Sequence, residues 1–209
     1  PALGYDFLSD YYDFTIKLTM PEKKFRNKLM DWLNPQINEN ILEFGFGTAQ
    51  NLILLKQRCP QAFARGVDID PKIKKIAEYK LAKNNMDVSL FLYDGQTLPF
   101  EDNSFDKVFS SLVFHQLDAS TKTNCLKELH RVLKPHGTLI IGDWGKAKNK
   151  WMRFTFLTVQ LLDGFKTTND NVKGLMPEFI QSSGFQDISE VDYINTAIGT
   201  YSYYQAKKH

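Results

Sequence analysis

The chain has 209 residues, which suits one domain able to bury a core without staples. Hydrophobic residues make up 43% and charged residues 24%, with 26 basic against 24 acidic side chains. That near balance gives no argument for nucleic acid or a membrane surface as partner, and no apolar run is long enough to span a bilayer.

Residues 1–40 are aromatic and polar, with "YDFLSDYYDF" followed by "PEKKFRNKLMDWL". They are expected to form an N-terminal helical lid. From Ile41 the pattern alternates. "NILEFG" is a short apolar run ended by glycine, and "NLILLKQRC" follows with helical spacing from a start at Ala49. "FARGVDID" predicts a second strand, and "PKIKKIAEYKLAKNN" an amphipathic helix. "DVSLFLYD" and "FDKVFSSLVFH" predict the third and fourth strands. "TKTNCLKELHRVL" places Cys125, Leu126, Leu129, Val132 and Leu133 on one helical face; "KPHG" stops that helix and "TLIIGDW" is a fifth strand.

Beyond this, "NKWMRFTFLTVQLLDGF" reads as one helical stretch. Trp151, Phe154, Leu157 or Thr158, Leu161 and Phe165 share a stripe expected to face the core. Met152, Phe156, Val159 and Leu162 widen the apolar surface, so cover on two sides or an apolar ligand is expected. "ISEVDYIN" and "TYSYYQAKK" predict two last strands. No linker splits the chain, so residues 1–209 read as one domain: lid 1–40, core 41–145 and an acceptor-side region 146–209.

Strands alternating with helices predict a parallel sheet whose ligand lies outside the carboxyl ends of the strands. The glycine turn after the first strand is the first candidate. A dinucleotide site wants a third small residue one position later than Ala49. Glu43, just ahead of the turn, is poorly placed beside a pyrophosphate and well placed beside a cationic amine. A nicotinamide oxidoreductase is therefore disfavoured.

"LEFGFGTA" resembles the first motif of class I S-adenosylmethionine-dependent methyltransferases, with Ala49 in place of the third glycine. "GVDID", "YDGQTLPFEDNSFDKVFSSLVFHQL" and "ELHRVLKPHGTLII" extend the likeness over about residues 40–145. They are similar to the ubiquinone/menaquinone-biosynthesis type of methyltransferase. The resemblance implies a Rossmann-like α/β three-layer sandwich. Its sheet has seven mostly parallel strands in the order 3-2-1-4-5-7-6, with strand 7 antiparallel. It also implies S-adenosylmethionine as cofactor and methyl transfer by in-line displacement.

On that reading Glu43 faces the cationic end, and Gly45, Gly47 and Thr48 form the turn against the methionine part. Asp68 accepts from the ribose and Ile69 covers the adenine. Asp94 accepts from the adenine amino group while Gly95 donates to a ring nitrogen. Ser110 ends the fourth strand within the same crevice. Asp70, ahead of Pro71, is the better helix cap, which leaves Asp68 for the ligand. Tyr5, with Tyr11 and Tyr12 as alternatives, is a candidate for closing over the site.

His115 is the candidate general base and Asp143 a second candidate that could orient or deprotonate an acceptor. The acceptor is expected to be a small, hydrophobic molecule, held in an apolar cavity between residues 151–165 and the N-terminal helices. No signature of a nucleobase acceptor follows the fourth strand. No metal site, nucleic-acid partner or stable membrane insertion is expected. Cys59 and Cys125 read as reduced thiols, and the cytoplasm is the expected location. The start at Pro1 reads as a trimmed terminus. Two rivals remain: a non-catalytic protein that binds S-adenosylmethionine or S-adenosylhomocysteine, and a methyltransferase acting on protein side chains. Oligomeric state is not legible.

Overall fold

The computed structural model describes residues 22–209, with backbone only at positions 158, 162, 163, 165 and 166. Tyr5, Tyr11 and Tyr12 therefore lie outside the described residues. The elements run α1 (Glu22–Leu33), β1 (Asn40–Phe44), α2 (Gln50–Arg58), β2 (Phe63–Asp68), α3 (Pro71–Lys83), β3 (Ser89–Leu92) and β4 (Phe105–Ser111). A 3-10 turn at Phe114–Gln116 leads to α4 (Ala119–Val132) and β5 (Leu133–Trp144). Then come α5 (Lys150–Thr155), α6 (Leu157–Asp163), α7 (Phe165–Lys173), α8 (Met176–Ser182), β6 (Gln186–Asn195) and β7 (Thr200–Lys207).

The seven strands form one sheet in the order β3-β2-β1-β4-β5-β7-β6. Neighbours from β3 to β5 are parallel, and β7 runs antiparallel to both β5 and β6. This is the order and the antiparallel strand that the motifs imply.

Period-2 alternation along the strands divides the core into two faces. Ile41, Ile140, Tyr201 and Tyr203 pack with α1, α2 and α3 on one side. Leu42, Phe44, Val108 and Ile141 pack with α4 and α8 on the other. Both faces are covered at the centre of the sheet, so β1, β4 and the second half of β5 are largely buried, as in parallel sheets. α1 belongs to this core: Phe25, Leu29, Met30 and Leu33 are buried, and the Tyr203 hydroxyl donates to the Phe25 carbonyl at 2.8 Å. Within the region expected to be a lid, the described helix is thus a layer of the sandwich.

Three local readings change. The residues "KPHG" do end α4, but inside β5 rather than before it. Pairing jumps from Phe105–Leu133 to Lys107–Thr138, so the extra residues form a bulge that seats Pro135 and leaves His136 at φ +65°. The helix after the glycine turn begins at Gln50. Ala49 precedes it in left-handed conformation, φ +62°.

The third change is the largest. The stretch 150–165 is broken into α5 and α6, with Gly164 at φ +92° before α7. The stripe expected to be core faces outward: Trp151 is 71%, Phe154 65% and Leu161 72% exposed. Met152, Phe156 and Val159 are buried instead. The break at Phe156 lets its ring pack against Trp144, centroids 5.5 Å apart, and this tertiary contact decides which face turns inward.

Candidate functional site

The carboxyl ends of β1, β2, β4 and β5 meet at one edge of the sheet. At the end of β1, Gly45 adopts φ +74° and donates its N–H to the Val67 carbonyl at 2.8 Å. A Cβ there would stand 2.3 Å from Val113 Cγ2, so only glycine fits. Gly47, at φ +50°, is different: a Cβ would meet nothing within 4 Å among the described residues. The turn is closed at Gly45 and open at Gly47.

Asp68 ends β2 beside this opening. Its carboxylate accepts from the Gly47 N–H at 3.0 Å and from the Asp70 N–H at 3.2 Å, and partial burial raises its pKa. Asp70 caps α3, accepting from the N–H groups of Lys72 and Ile73. Asp70 is thus the helix cap, as expected, while Asp68 faces the turn. Ile69 between them is 60% exposed. After β3, Asp94 Oδ1 accepts from the N–H groups of Gln96 and Thr97, which holds its carboxyl below the usual range. Gly95 at φ +85° is open in the way Gly47 is.

Glu43 is 1% exposed. Asn51, in the first turn of α2, donates to its Oε1 at 2.7 Å, and Arg26 from α1 donates to Asn51 Oδ1 at 2.6 Å. Glu43 Oε2 has no partner among the described residues. Burial pushes the Glu43 carboxyl up to about 8, against the Asn51 hydrogen bond and the Arg26 charge. A buried carboxylate oxygen without a donor costs free energy unless a cation or donor meets it. Sequence reasoning missed Asn51 and Arg26. The signal for Asn51 was an amide one turn into a helix on the side that faces the sheet. Arg26 had none.

Ser110 does not open into the crevice. It is fully buried, and its hydroxyl donates to the Phe44 carbonyl at 2.8 Å, tying β4 to β1 just below the turn. Thr48 is half-buried within the turn.

The two candidates for acceptor chemistry are brought together. His115, in the 3-10 turn after β4, and Asp143, near the end of β5, are both fully buried. His115 Nδ1 lies 2.7 Å from Asp143 Oδ1, and the His115 main-chain N–H donates to Asp143 Oδ2 at 3.1 Å. The Trp144 N–H also donates to Asp143 Oδ1 at 2.7 Å. A carboxylate on Nδ1 fixes the ring and directs Nε2 away from Asp143. Asn171 of α7 donates to the Trp144 carbonyl at 2.7 Å and so packs this helix over the same strand end. Sequence reading named both residues without seeing them as a pair.

Among the described residues no group of acids, histidines or cysteines could hold a metal. A hollow of about 680 Å³ beside Pro177, Gln181 and Phe185 adjoins the start of β6. That is the opposite edge of the sheet, so it plays no part in this site.

Residues 42–141 match the family model of a methyltransferase domain. The chain is 31% identical over 140 residues to a demethylmenaquinone methyltransferase of Thermus thermophilus, covering 67% of this chain and 60% of that protein. It thus spans about three fifths of that relative's length. Among solved structures, an S-adenosylmethionine-dependent methyltransferase of Aquifex aeolicus aligns with a TM-score of 0.68 at 19% identity, over 88% of this chain and 89% of the other. The cyclase SpnF aligns with a TM-score of 0.67 at 16% identity, over 88% and 80%. Residues 42–141 thus match a methyltransferase domain of the kind that the motifs resemble.

Proposed function

We propose that this chain is an enzyme that transfers the methyl group of S-adenosylmethionine to a small hydrophobic acceptor. The observation that carries the reading is the polarity of the crevice around the glycine turn. It has a buried carboxyl oxygen on Glu43, without a partner among the described residues, where the ligand's ammonium belongs, open main chain at Gly47 for its methionine part, and Asp68 beside it for the ribose diol. The exposed Ile69 suits one face of an adenine, and Asp94 with Gly95 suits its edge. A pyrophosphate gains no charge partner at Glu43, whereas an ammonium draws its carboxyl into the ionised form.

When bound, the cofactor supplies a sulfonium whose methyl carbon is open to in-line attack. The chain's task is then to align the acceptor, exclude water and take up a proton. His115 is the group for the last step. Asp143 holds its ring in one orientation and stabilises the charged form after proton uptake. The pair lies in a dry environment, where such stabilisation is strongest. Tyr5, and the apolar cavity expected between residues 151–165 and the N-terminal helices, belong to the same proposal. The relative's name points to a demethylated menaquinone as that protein's acceptor. An apolar quinol is therefore the acceptor to test first.

One observation favours a second reading. Asp143 also binds the His115 main-chain N–H, as a structural staple would. The fold is shared with a protein named for cyclase activity, so the fold does not decide the chemistry. Calorimetry with S-adenosylmethionine tests the cofactor, and Asp68→Ala should weaken binding by about tenfold or more. Transfer of tritiated methyl to a quinol panel and to fractionated extract tests the reaction. His115→Gln should lower turnover by about a hundredfold or more while cofactor affinity stays within about twofold. Cofactor binding with no labelled product in any fraction supports the non-catalytic rival. Label recovered only in polypeptide supports the protein methyltransferase.

A further inference from the structure

The outward face of α5 and α6 belongs to the segment proposed to border the acceptor cavity, but it takes no part in the hydrogen-bonded site described above. Trp151 and Phe154 stand one helical turn apart with ring centroids 6.1 Å from each other, and Leu161 extends the face along α6. All three are about two-thirds exposed or more. The helix beneath is properly formed: Asn149 caps α5 by accepting from the Met152 N–H at 2.8 Å, and Met152, Phe156 and Val159 anchor it to the core. Large apolar side chains are therefore directed both inward and outward. A soluble surface seldom displays a contiguous aromatic face of this kind without a partner.

Charge identifies the partner. Residues 146–166 contain five basic residues and one acid, while the whole chain is +2, so the rest of the molecule is net acidic. Lys150, next to Trp151 in the chain, and Lys146 are exposed, and Arg153 shares the helix of the aromatic pair with its guanidinium on Gln160. Of the five, Lys148 is paired with Glu190; beyond the segment, Asp170 is paired with Lys122. An exposed tryptophan and phenylalanine on a segment rich in cations match the interface of an anionic bilayer, with rings at headgroup depth and basic side chains against the phosphates. No helix among the described residues is long and apolar enough to cross a membrane, and the docking argued here needs only contact with its surface.

We infer that the α5–α6 face docks this protein on anionic lipid membranes. The face continues from β5, and Phe156 beneath it packs on Trp144, the residue after Asp143. The docked protein would therefore hold the candidate acceptor side close to the lipid. Docking itself does not depend on the reaction and is measured without it.

The test is flotation of the full chain with phosphatidylcholine vesicles and with vesicles containing an equal share of phosphatidylglycerol, at low and high salt. Expected is binding to the anionic vesicles on the order of a hundredfold tighter at low salt, weakened by salt, with a blue shift of tryptophan emission that Trp151→Phe abolishes. The double variant Trp151→Glu, Phe154→Glu should lose binding with an unchanged melting temperature, and Lys150→Glu should weaken it. No binding by the wild-type chain overturns the proposal, as does undiminished binding by the double variant. Self-association removed by the double variant, without lipid binding, would instead make this face an interface between copies. Failure of methyl transfer, by contrast, leaves the lipid result standing.

Discussion

The two ends of the crevice are built differently. At the cofactor end, β1 to β3, each group is held by contacts close in sequence or between adjacent strands: Asp70 caps its own helix, Asp94 its own turn, and Asp68 reaches the Gly47 N–H one strand away. At the acceptor end, β4 to α7, positions depend on contacts across long sequence distances. Asp143 holds His115, Asn171 holds the Trp144 carbonyl, and the buried Lys122 of α4 donates to the Thr167 carbonyl at 2.9 Å and pairs with Asp170 of α7. The first kind of order follows from backbone geometry. The second follows from packing, and a few side chains determine it.

If that contrast is right, the greatest single loss of stability comes from backbone geometry at the cofactor end. Gly45→Ala adds a Cβ 2.3 Å from Val113 Cγ2 at a residue with φ +74°. Overpacking and left-handed strain together should cost about 3 kcal/mol, or about ten degrees of melting temperature. A thermal shift near zero would mean that Val113 yields easily, and that the turn is softer than its hydrogen bonds suggest.

This contrast also explains what was legible. The glycine turn, the cap at Asp70 and the alternation of strands and helices could be read because each has a local signature: glycine where φ is positive, an acid ahead of proline, periodic apolar residues; the sheet order and the antiparallel β7 came from the family resemblance and from no local signal. The stripe from Trp151 to Leu161 was misread because periodicity identifies an apolar face without identifying what covers it. Phe156 against Trp144 and Gly164 at φ +92° break the helix and rotate the inward face. The Arg26–Asn51–Glu43 chain escaped notice because its members come from three elements that only folding brings together. The His115–Asp143 pair escaped for the same reason, although each residue stood out alone.

Glu43 is where the cofactor end departs from local order, and pH sharpens the point. Its folded value, about 8, is raised from an ordinary carboxylate value by burial. The free protein therefore holds a proton on Glu43 at neutral pH that the unfolded chain releases. Stability should fall as pH rises from the ordinary carboxylate range towards about 8. A ligand ammonium favours the carboxylate, so cofactor affinity should climb over the same window and level off above it. Glu43→Gln keeps an acceptor for Asn51 but cannot ionise. Calorimetry from pH 6 to 9 should show about thirtyfold weaker binding at the upper end, with little slope. A wild-type affinity independent of pH would place the ammonium elsewhere.

At the acceptor end, Lys122→Met tests whether one side chain positions α7. Lys122 is fully buried, with its ammonium also 5.6 Å from the Phe179 ring, while Asp170 remains partly exposed. Loss of the pair should cost about 1–2 kcal/mol, less than the Gly45 change, because Asp170 can turn to water. Hydrogen exchange should accelerate in α7 and not in α2 or α3. Uniform acceleration would mean that the acceptor end is not a separately held unit.

The smallest effect belongs to Ala49, at the position of the motif's third glycine. Alanine there sits at φ +62°, a conformation that disfavours a side chain by about 1–2 kcal/mol. Yet its methyl is fully buried in the core that joins α1 and α2, worth about 0.8 kcal/mol. Glycine would relieve the strain, lose the methyl and add about 0.5–1 kcal/mol of unfolded-state entropy. These terms nearly cancel, so Ala49→Gly should shift stability by less than about 0.5 kcal/mol and leave cofactor affinity unchanged. Ala49→Val, a branched side chain in left-handed backbone, should cost about 2 kcal/mol or more. If glycine instead destabilised the chain strongly, packing rather than backbone would govern this turn, and the contrast between the two ends would disappear.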